Sequence, residues 1–197
     1  MFTGIIRDIG EIAEFESKGE DVGLRIRTRR LPLNKLGEGA SIAVNGVCLT
    51  VTALPGDGFS ADISAETLRC TTFSSLKIGS RVNLETALTP ETALSGHWVS
   101  GHVDGIGRIL ERKPEGRSVC FEIALPSELA PYVAHKGSIT VDGVSLTVNR
   151  VTRESFTVNI VPHTLEKTIF ADYRVDTAVN LEVDIVARYL ERLMSFR

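Results

Sequence analysis

The sequence predicts an all-β protein: two similar small antiparallel barrels in tandem, followed by a C-terminal α-helix. Three observations carry this. First, the chain of 197 residues contains itself twice at an offset of 97; aligning 2–88 with 99–185 without gaps gives 26 identities in 87 pairs. Ser-Ile-Ala-Val-Asn-Gly-Val-Cys-Leu-Thr-Val at 41–51 returns as Ser-Ile-Thr-Val-Asp-Gly-Val-Ser-Leu-Thr-Val at 138–148. Second, short β-rich runs separated by turn signals dominate both copies. Third, clear helical periodicity is confined to the end of the chain. Any site built on the repeated motif should therefore occur twice.

The elements follow in order. Val22–Thr28 alternates Val/Leu/Ile with Gly/Arg/Arg, the period of a half-buried strand, and Val119–Ala124 is its counterpart. Ser41–Val44 and Val47–Thr52 flank Asn45-Gly46, a hairpin signal because a type I′ turn needs two residues at positive φ. Asp142-Gly143 repeats it. Phe59–Ile63, Phe156–Val161, Val82–Thr86 and Val179–Val183 read as further strands. Leu31–Leu36 and Ser127–His135 read as short helical turns, the latter capped by Ser127; Thr67–Leu76 and Thr164–Phe170 follow Glu66 and His163 at matched positions. Asp184–Ser195 is the one clear helix, with Val186, Leu190 and Leu193 on one face. It has no partner in the first copy and must bury that stripe on its own barrel or on another chain. Thr86–Gly96 is the linker, giving domains at 1–96 and 97–184 and a helix at 185–197.

Composition excludes several classes. At 43% hydrophobic and 24% charged the chain is an ordinary globular one, and a net charge of −3 gives no pull on nucleic acid or an anionic membrane. The one dense basic run, Arg25, Arg27, Arg29 and Arg30, reads as a solvated strand edge. Met-Phe-Thr-Gly-Ile-Ile-Arg-Asp lacks the pattern of a signal peptide, and no apolar stretch is long enough to span a bilayer. Cys48, Cys70 and Cys120 form no CxxC pair, so a disulfide framework and a structural zinc are not expected and a reducing cytoplasm is.

Standard catalytic motifs are missing. Gly105-Ile-Gly107 lacks the third glycine of a dinucleotide fingerprint, and the spacing of His97 and His102 suits neither a helical nor a same-face strand metal site; no metal is expected. The chemistry lies in the mismatches between copies. Cys48 stands against Ser145, Ile5 against His102, Asn45 against Asp142, Asp62 against Asn159, and Glu66 against His163. The frame is kept while hydrogen-bonding and proton-transfer capacity changes in place. Such a pair of pockets suits two similar ligands held in different roles.

These residues also carry a resemblance. Met1-Phe2-Thr3-Gly4-Ile5-Ile6, Asn45-Gly46-Val47-Cys48-Leu49-Thr50-Val51, Ser95-Gly96-His97-Trp98-Val99-Ser100-Gly101-His102-Val103 and Asp142-Gly143-Val144-Ser145-Leu146-Thr147-Val148 resemble the riboflavin synthase alpha-chain family over nearly the whole chain. The resemblance implies two six-stranded Greek-key barrels and a homotrimer organised by the C-terminal helices. It implies an active site between the N-terminal barrel of one subunit and the C-terminal barrel of another, and raises association with lumazine synthase. The implied reaction is that of a transferase in riboflavin biosynthesis. Two molecules of 6,7-dimethyl-8-ribityllumazine dismutate to riboflavin and 5-amino-6-(D-ribitylamino)uracil, with no cofactor or metal.

Carried over by position, the first pocket takes Gly4, Ile5 and Ile6, Cys48, Leu49 and Thr50, and the run Asp62, Ile63, Ser64, Ala65, Glu66 and Thr67. The second takes Gly101, His102 and Val103, Lys136, Ser145, Leu146 and Thr147, and the run Asn159, Ile160, Val161, Pro162, His163 and Thr164. His102 is assigned to proton transfer, with Ser41, Cys48, Ser145 and Thr147 assisting; Cys48 is either a nucleophile or a packing group. Phe2 is expected to close over a ring. Many family members carry an acidic residue where this chain has His163. A non-catalytic lumazine- or flavin-binding optical protein of the same fold is the nearest rival reading, and the presence of both Cys48 and His102 favours the enzyme; the flavin barrel of an NAD(P)H-dependent reductase, which would need a nucleotide-binding α/β domain, and a purely structural trimer are the others.

Overall fold

The computed structural model describes residues 1–196. Among them, strands β1 (Asp8–Lys18), β2 (Asp21–Arg27), β3 (Ser41–Val44), β4 (Val47–Ala53), β5 (Gly58–Ile63) and β6 (Arg81–Thr86) close a barrel in the order β1-β2-β5-β4-β3-β6. Strands β7 (Gly105–Glu115), β8 (Ser118–Ala124), β9 (Ser138–Val141), β10 (Val144–Val151), β11 (Ser155–Ile160) and β12 (Ala178–Val183) close a second barrel. Every pairing is antiparallel, and β2 lies beside β5 rather than β3, the Greek-key arrangement. Each strand of the second barrel begins 97 residues after its counterpart, so the repeat in sequence is a repeat in structure.

The Asn-Gly signal is realised as read: Asn45 and Gly46 take φ of 45° and 78°, Asp142 and Gly143 take 44° and 78°. Alternation on the strands fills each barrel with its own core, around Phe59 and Phe73 in the first and Phe121, Phe156 and Phe170 in the second. Strands β1 and β7 are additions to the sequence reading. Their alternation is broken by register shifts between Ile12 and Glu14 and between Ile109 and Glu111, so apolar residues do not recur at a clean period of two.

Short helices α1 (Ala65–Cys70) and α2 (Pro162–Lys167) follow β5 and β11. Ser64 caps α1 by accepting from the N–H of Thr67, whereas α2 starts on Pro162 without a side-chain cap. The turn expected at Ser127–His135 shrinks to a 3-10 turn at Ala130–Tyr132; Ser127 does not cap it and instead donates to Glu128. Helix α3 (Ile185–Met194) is capped by Asp184, which accepts from the N–H of Val186. No helix is long and apolar enough to cross a membrane among the described residues.

The barrels meet along a pseudo-two-fold axis at the two hairpin turns. A Cβ on Gly46 would lie 2.7 Å from the nitrogen of Gly143, and one on Gly143 would lie 2.7 Å from the nitrogen of Gly46, so glycine is required at both. The repeated Val-Asn-Leu-Glu run explains itself here. Asn83 donates to the carbonyl of Asp142 and accepts from the N–H of Ile169; Asn180 donates to the carbonyl of Asn45 and accepts from the N–H of Thr72. These buried amides fasten each barrel to the other.

Candidate active site

The glutamates of the same run hold the segment that leads into each barrel. Glu85 accepts from the N–H and hydroxyl of Thr3 and from the N–H of Gly4 at 2.8, 2.6 and 2.9 Å. Glu182 accepts from the N–H and hydroxyl of Ser100 and from the N–H of Gly101 at 2.7, 2.5 and 3.0 Å. Burial pushes both carboxyls up, against the pull of these hydrogen bonds. The two segments pair through Phe2 and Val99, and each then lies against the barrel it does not lead into. Ser145 N–H donates to the carbonyl of Gly4, and Cys48 N–H donates to the carbonyl of Gly101. Ile6 packs on the second core and Val103 on the first.

This crossing corrects the grouping expected from sequence. Gly4, Ile5 and Ile6 belong with Ser145, Leu146 and Thr147, while Gly101, His102 and Val103 belong with Cys48, Leu49 and Thr50. The segment carrying the exposed imidazole of His102 therefore lies against β4 at Cys48, and the segment carrying Ile5 lies against β10 at Ser145. Position along the chain pointed the other way because each segment crosses the pseudo-two-fold before it reaches its pocket.

Further expectations resolve residue by residue. Thr50 and Thr147 are exposed on the strands, and half-buried Ser41 pairs with Thr50 across β3 and β4. Ile63 and Ile160 are fully buried in the barrel cores, so only their backbones can face a ligand. Ser64, Thr67 and Thr164 stand at the starts of α1 and α2, with Ala65, Val161, Pro162 and His163 around them. Asp62 is paired with Lys18 at 2.8 Å, and Asn159 donates to Glu115 at 2.9 Å. Glu66 is held by Arg69 and then by the thiol of Cys70, which keeps its carboxyl below the ordinary value. The ring of Phe2 is fully buried beside Ala43, Cys48 and Val99. It packs against the Gly101 segment, where a Cβ on Gly101 would come within 3.0 Å of it.

Lys136 has a φ of 63°, where its counterpart Gly39 has 83°. A lysine kept in the left-handed region, at a place the fold gives to glycine, marks a side chain retained at a conformational cost.

A cleft of about 340 Å³ opens beside His102, lined by Ser100, Val103, Asp104, Glu182 and Arg188 among others. Buried Asp104 accepts from the N–H of Val183 and is ion-paired with Arg188 of α3. The counterpart cleft, about 320 Å³, is lined by Arg7, Arg30, Pro32, Glu85, Thr86 and Thr92. One functional candidate went unassigned in the sequence: His97, whose Nδ1 lies 2.7 Å from Ser145 Oγ. Its sequence signal is its place in the Ser95–Val103 run, five residues before His102.

Two similar closed barrels in tandem, each crossed by the segment that leads into the other, define a tandem-barrel protein. The model of the lumazine binding domain matches residues 3–87 and again 100–184. The chain is 48% identical over 194 residues to the riboflavin synthase of Photobacterium phosphoreum, covering 98% of this chain and 89% of that one. It is 46% identical over 202 residues to the riboflavin synthase of Brucella abortus, covering 100% of both. Among solved structures it resembles LumP complexed with riboflavin, at a TM-score of 0.85 and 25% identity over 93% of this chain and 99% of that one. The chain belongs to the riboflavin synthase family.

Proposed function

We propose that this chain is a riboflavin synthase, a transferase that converts two molecules of 6,7-dimethyl-8-ribityllumazine into riboflavin and 5-amino-6-(D-ribitylamino)uracil. One observation supports the reading: the two barrels share a frame but not their polar groups, since the segment carrying His102 lies on Cys48 while the segment carrying Ile5 lies on Ser145, which His97 reaches. Two copies of one substrate need similar pockets. One copy gives up a four-carbon unit and the other receives it, so the pockets must differ.

The protein's tasks are orientation and proton transfer. Holding two rings in reacting geometry removes an entropic barrier worth up to roughly 7–11 kcal/mol in ideal cases. The C7 methyl of one lumazine loses a proton, for which His102, exposed beside its cleft, is the base. A nucleophile, water or a side chain such as Cys48 or Ser145, adds to the other ring. The rings delocalise the charge themselves, so the reading calls for no cofactor or metal.

The reading extends to a homotrimer with each active site between the N-terminal barrel of one subunit and the C-terminal barrel of the next. The exposed apolar face of α3 supports it. Three unpaired cysteines support a cytoplasmic location. Association with lumazine synthase, which would deliver substrate, is compatible with the same reading.

The test is direct. Purified protein given 6,7-dimethyl-8-ribityllumazine, with no cofactor, should develop the riboflavin absorbance band, one riboflavin for each two lumazines consumed. Tight binding of lumazine or riboflavin without turnover would sink the enzyme reading and leave a binding protein.

A further inference from the structure

We infer that His97 is a positioning residue for the second pocket: it fixes the Ser145 hydroxyl so that its hydrogen is presented to the bound ligand. The inference rests on the riboflavin synthase reading and goes beyond it in assigning a group and a hydrogen-bond direction.

Three features of the structure carry it. His97 is 91% buried, since only 9% of it is exposed, and its Nδ1 lies 2.7 Å from Ser145 Oγ. Its other ring nitrogen, Nε2, is buried with no hydrogen-bond partner. A side chain that served only to fill this space would do so better as leucine, with no polar atom left stranded. The backbone, finally, is shaped to bring the imidazole here. A Cβ on Gly96 would lie 2.0 Å from the carbonyl of Thr3 and 3.1 Å from Ser145 Oγ, so only glycine lets the chain pass this close to the serine. The N–H of His97 then donates to the carbonyl of Thr3 at 3.2 Å.

The orphan nitrogen also sets the direction of the bond. Neutral imidazole carries one N–H. Were Nδ1 the acceptor, Nε2–H would be a buried donor with no partner. With the proton on Nδ1, the histidine donates to Ser145 Oγ and leaves an unused acceptor at Nε2, the more tolerable orphan. Burial holds the imidazole below its ordinary pKa, against the pull of Asp184, and so keeps it neutral. Ser145, accepting from His97, is free to donate its own hydrogen. An alcohol held in one rotamer and offering a hydrogen suits a lumazine ring nitrogen or carbonyl that gains negative charge as the substrate reacts. Among the described residues the thiol of Cys48 has no such side-chain partner, in contrast to Ser145. The two pockets thus differ in orientation as well as in element.

Five proteins test this: wild type, His97→Leu, His97→Asn, Ser145→Ala and the His97→Leu/Ser145→Ala double variant. Asparagine places an amide nitrogen near the position of Nδ1 and should restore the bond; leucine cannot. His97→Leu is expected to lose about tenfold or more in kcat with KM for 6,7-dimethyl-8-ribityllumazine within about twofold, and His97→Asn to recover most of it. In the Ser145→Ala background His97→Leu should add little, because its effect passes through the serine. Unchanged turnover in His97→Leu, equal losses in the Leu and Asn variants, or additive losses in the double variant would each overturn the inference. Should His97→Leu not fold, the Asn variant and Ser145→Ala still decide it: Asn as impaired as Ser145→Ala overturns it. Wild-type protein that binds lumazine without converting it defeats the functional reading itself, a result distinct from all of these.

Discussion

The backbone N–H of Cys48 donates to the carbonyl of Gly101 at 2.8 Å, and the equivalent bond runs from Ser145 to the carbonyl of Gly4 at 2.8 Å. Each barrel is therefore crossed, at β4 or at β10, by a segment that leads into the opposite barrel, and one of these segments carries His102. Gly101 has a φ of 81°, and a Cβ there would meet the Cβ of Cys48 at 2.7 Å. Gly101→Ala should push the segment off β4. Strain at positive φ alone costs about 1–2 kcal/mol. The expected result is a lowered melting temperature and a loss of turnover of more than about tenfold, read by calorimetry and by riboflavin formation. Near-normal turnover would show that the register of His102 over Cys48 is not needed.

Glu182 gives the same segment its second anchor. Replacing it with alanine strands three donors, the N–H and hydroxyl of Ser100 and the N–H of Gly101. A destabilisation of about 3–5 kcal/mol is expected in denaturant titrations. Glu85→Ala should cost a similar amount through Thr3 and Gly4. A cost below about 1 kcal/mol in both would mean that the segments are held by packing alone.

Much of this was legible from residues alone. Asn45-Gly46 and Asp142-Gly143 announce their turns because few other pairs tolerate two positive φ values. Strand ends came within a residue or so where alternation is clean, as in Ser41–Val44. Strands β1 and β7 were hidden by their bulges. The exchange of the Gly4 and Gly101 segments could not be read, since it is fixed by contacts such as Gly4 with Ser145 that lie far apart in the chain. The role of Asn83 and Asn180 escaped for the same reason: repetition marked them as frame, but only packing shows that each reaches into the other copy.

Asp142 gives a pH signature. Its carboxyl is pushed up to about 7 by complete burial, which outweighs the hydrogen bonds from Tyr173 and from the N–H of Asn180. The unfolded value is about 3.9. The folded state therefore binds this proton more tightly, and the stability it contributes is fully present below about pH 4 and lost as pH rises through about 7. Asp142→Asn, the residue found at position 45, removes the effect. Wild-type stability relative to this variant should fall between about pH 4 and about pH 7 and then level off. Parallel thermal melts across that range check it; a constant difference would place the proton elsewhere.

Lys136 separates conformation from binding. Its φ of 63° is one that Gly39 adopts without strain in the first barrel. Lys136→Gly should leave stability unchanged or raise it by about 1 kcal/mol. If the lysine touches substrate, KM for the lumazine should rise severalfold in the same variant. Gain in stability with unaltered KM would remove Lys136 from the pocket.

Helix α3 divides its contacts in a way that bears on assembly. Its polar side is tied to its own chain: Arg188 pairs with buried Asp104, two residues from His102, and Glu191 accepts from the hydroxyl of Tyr132 at 2.5 Å. Its apolar residues turn outward, with Val186, Leu190 and Leu193 exposed by 54%, 55% and 69%. Burying such a stripe contributes roughly 25 cal/mol per Å², and nothing among the described residues covers it. Packing on its own barrel, one of the two destinations open from sequence, is therefore not the one adopted. Because Arg188 pins the helix to the segment that carries His102, helix association and pocket geometry should respond together. Leu190→Glu with Leu193→Glu should yield monomers by sedimentation and lose most turnover, while circular dichroism reports intact barrels and lumazine still binds. An oligomer that survives both substitutions would show that surfaces other than α3 hold the subunits together, and full activity in a monomer would show that each chain completes its own site.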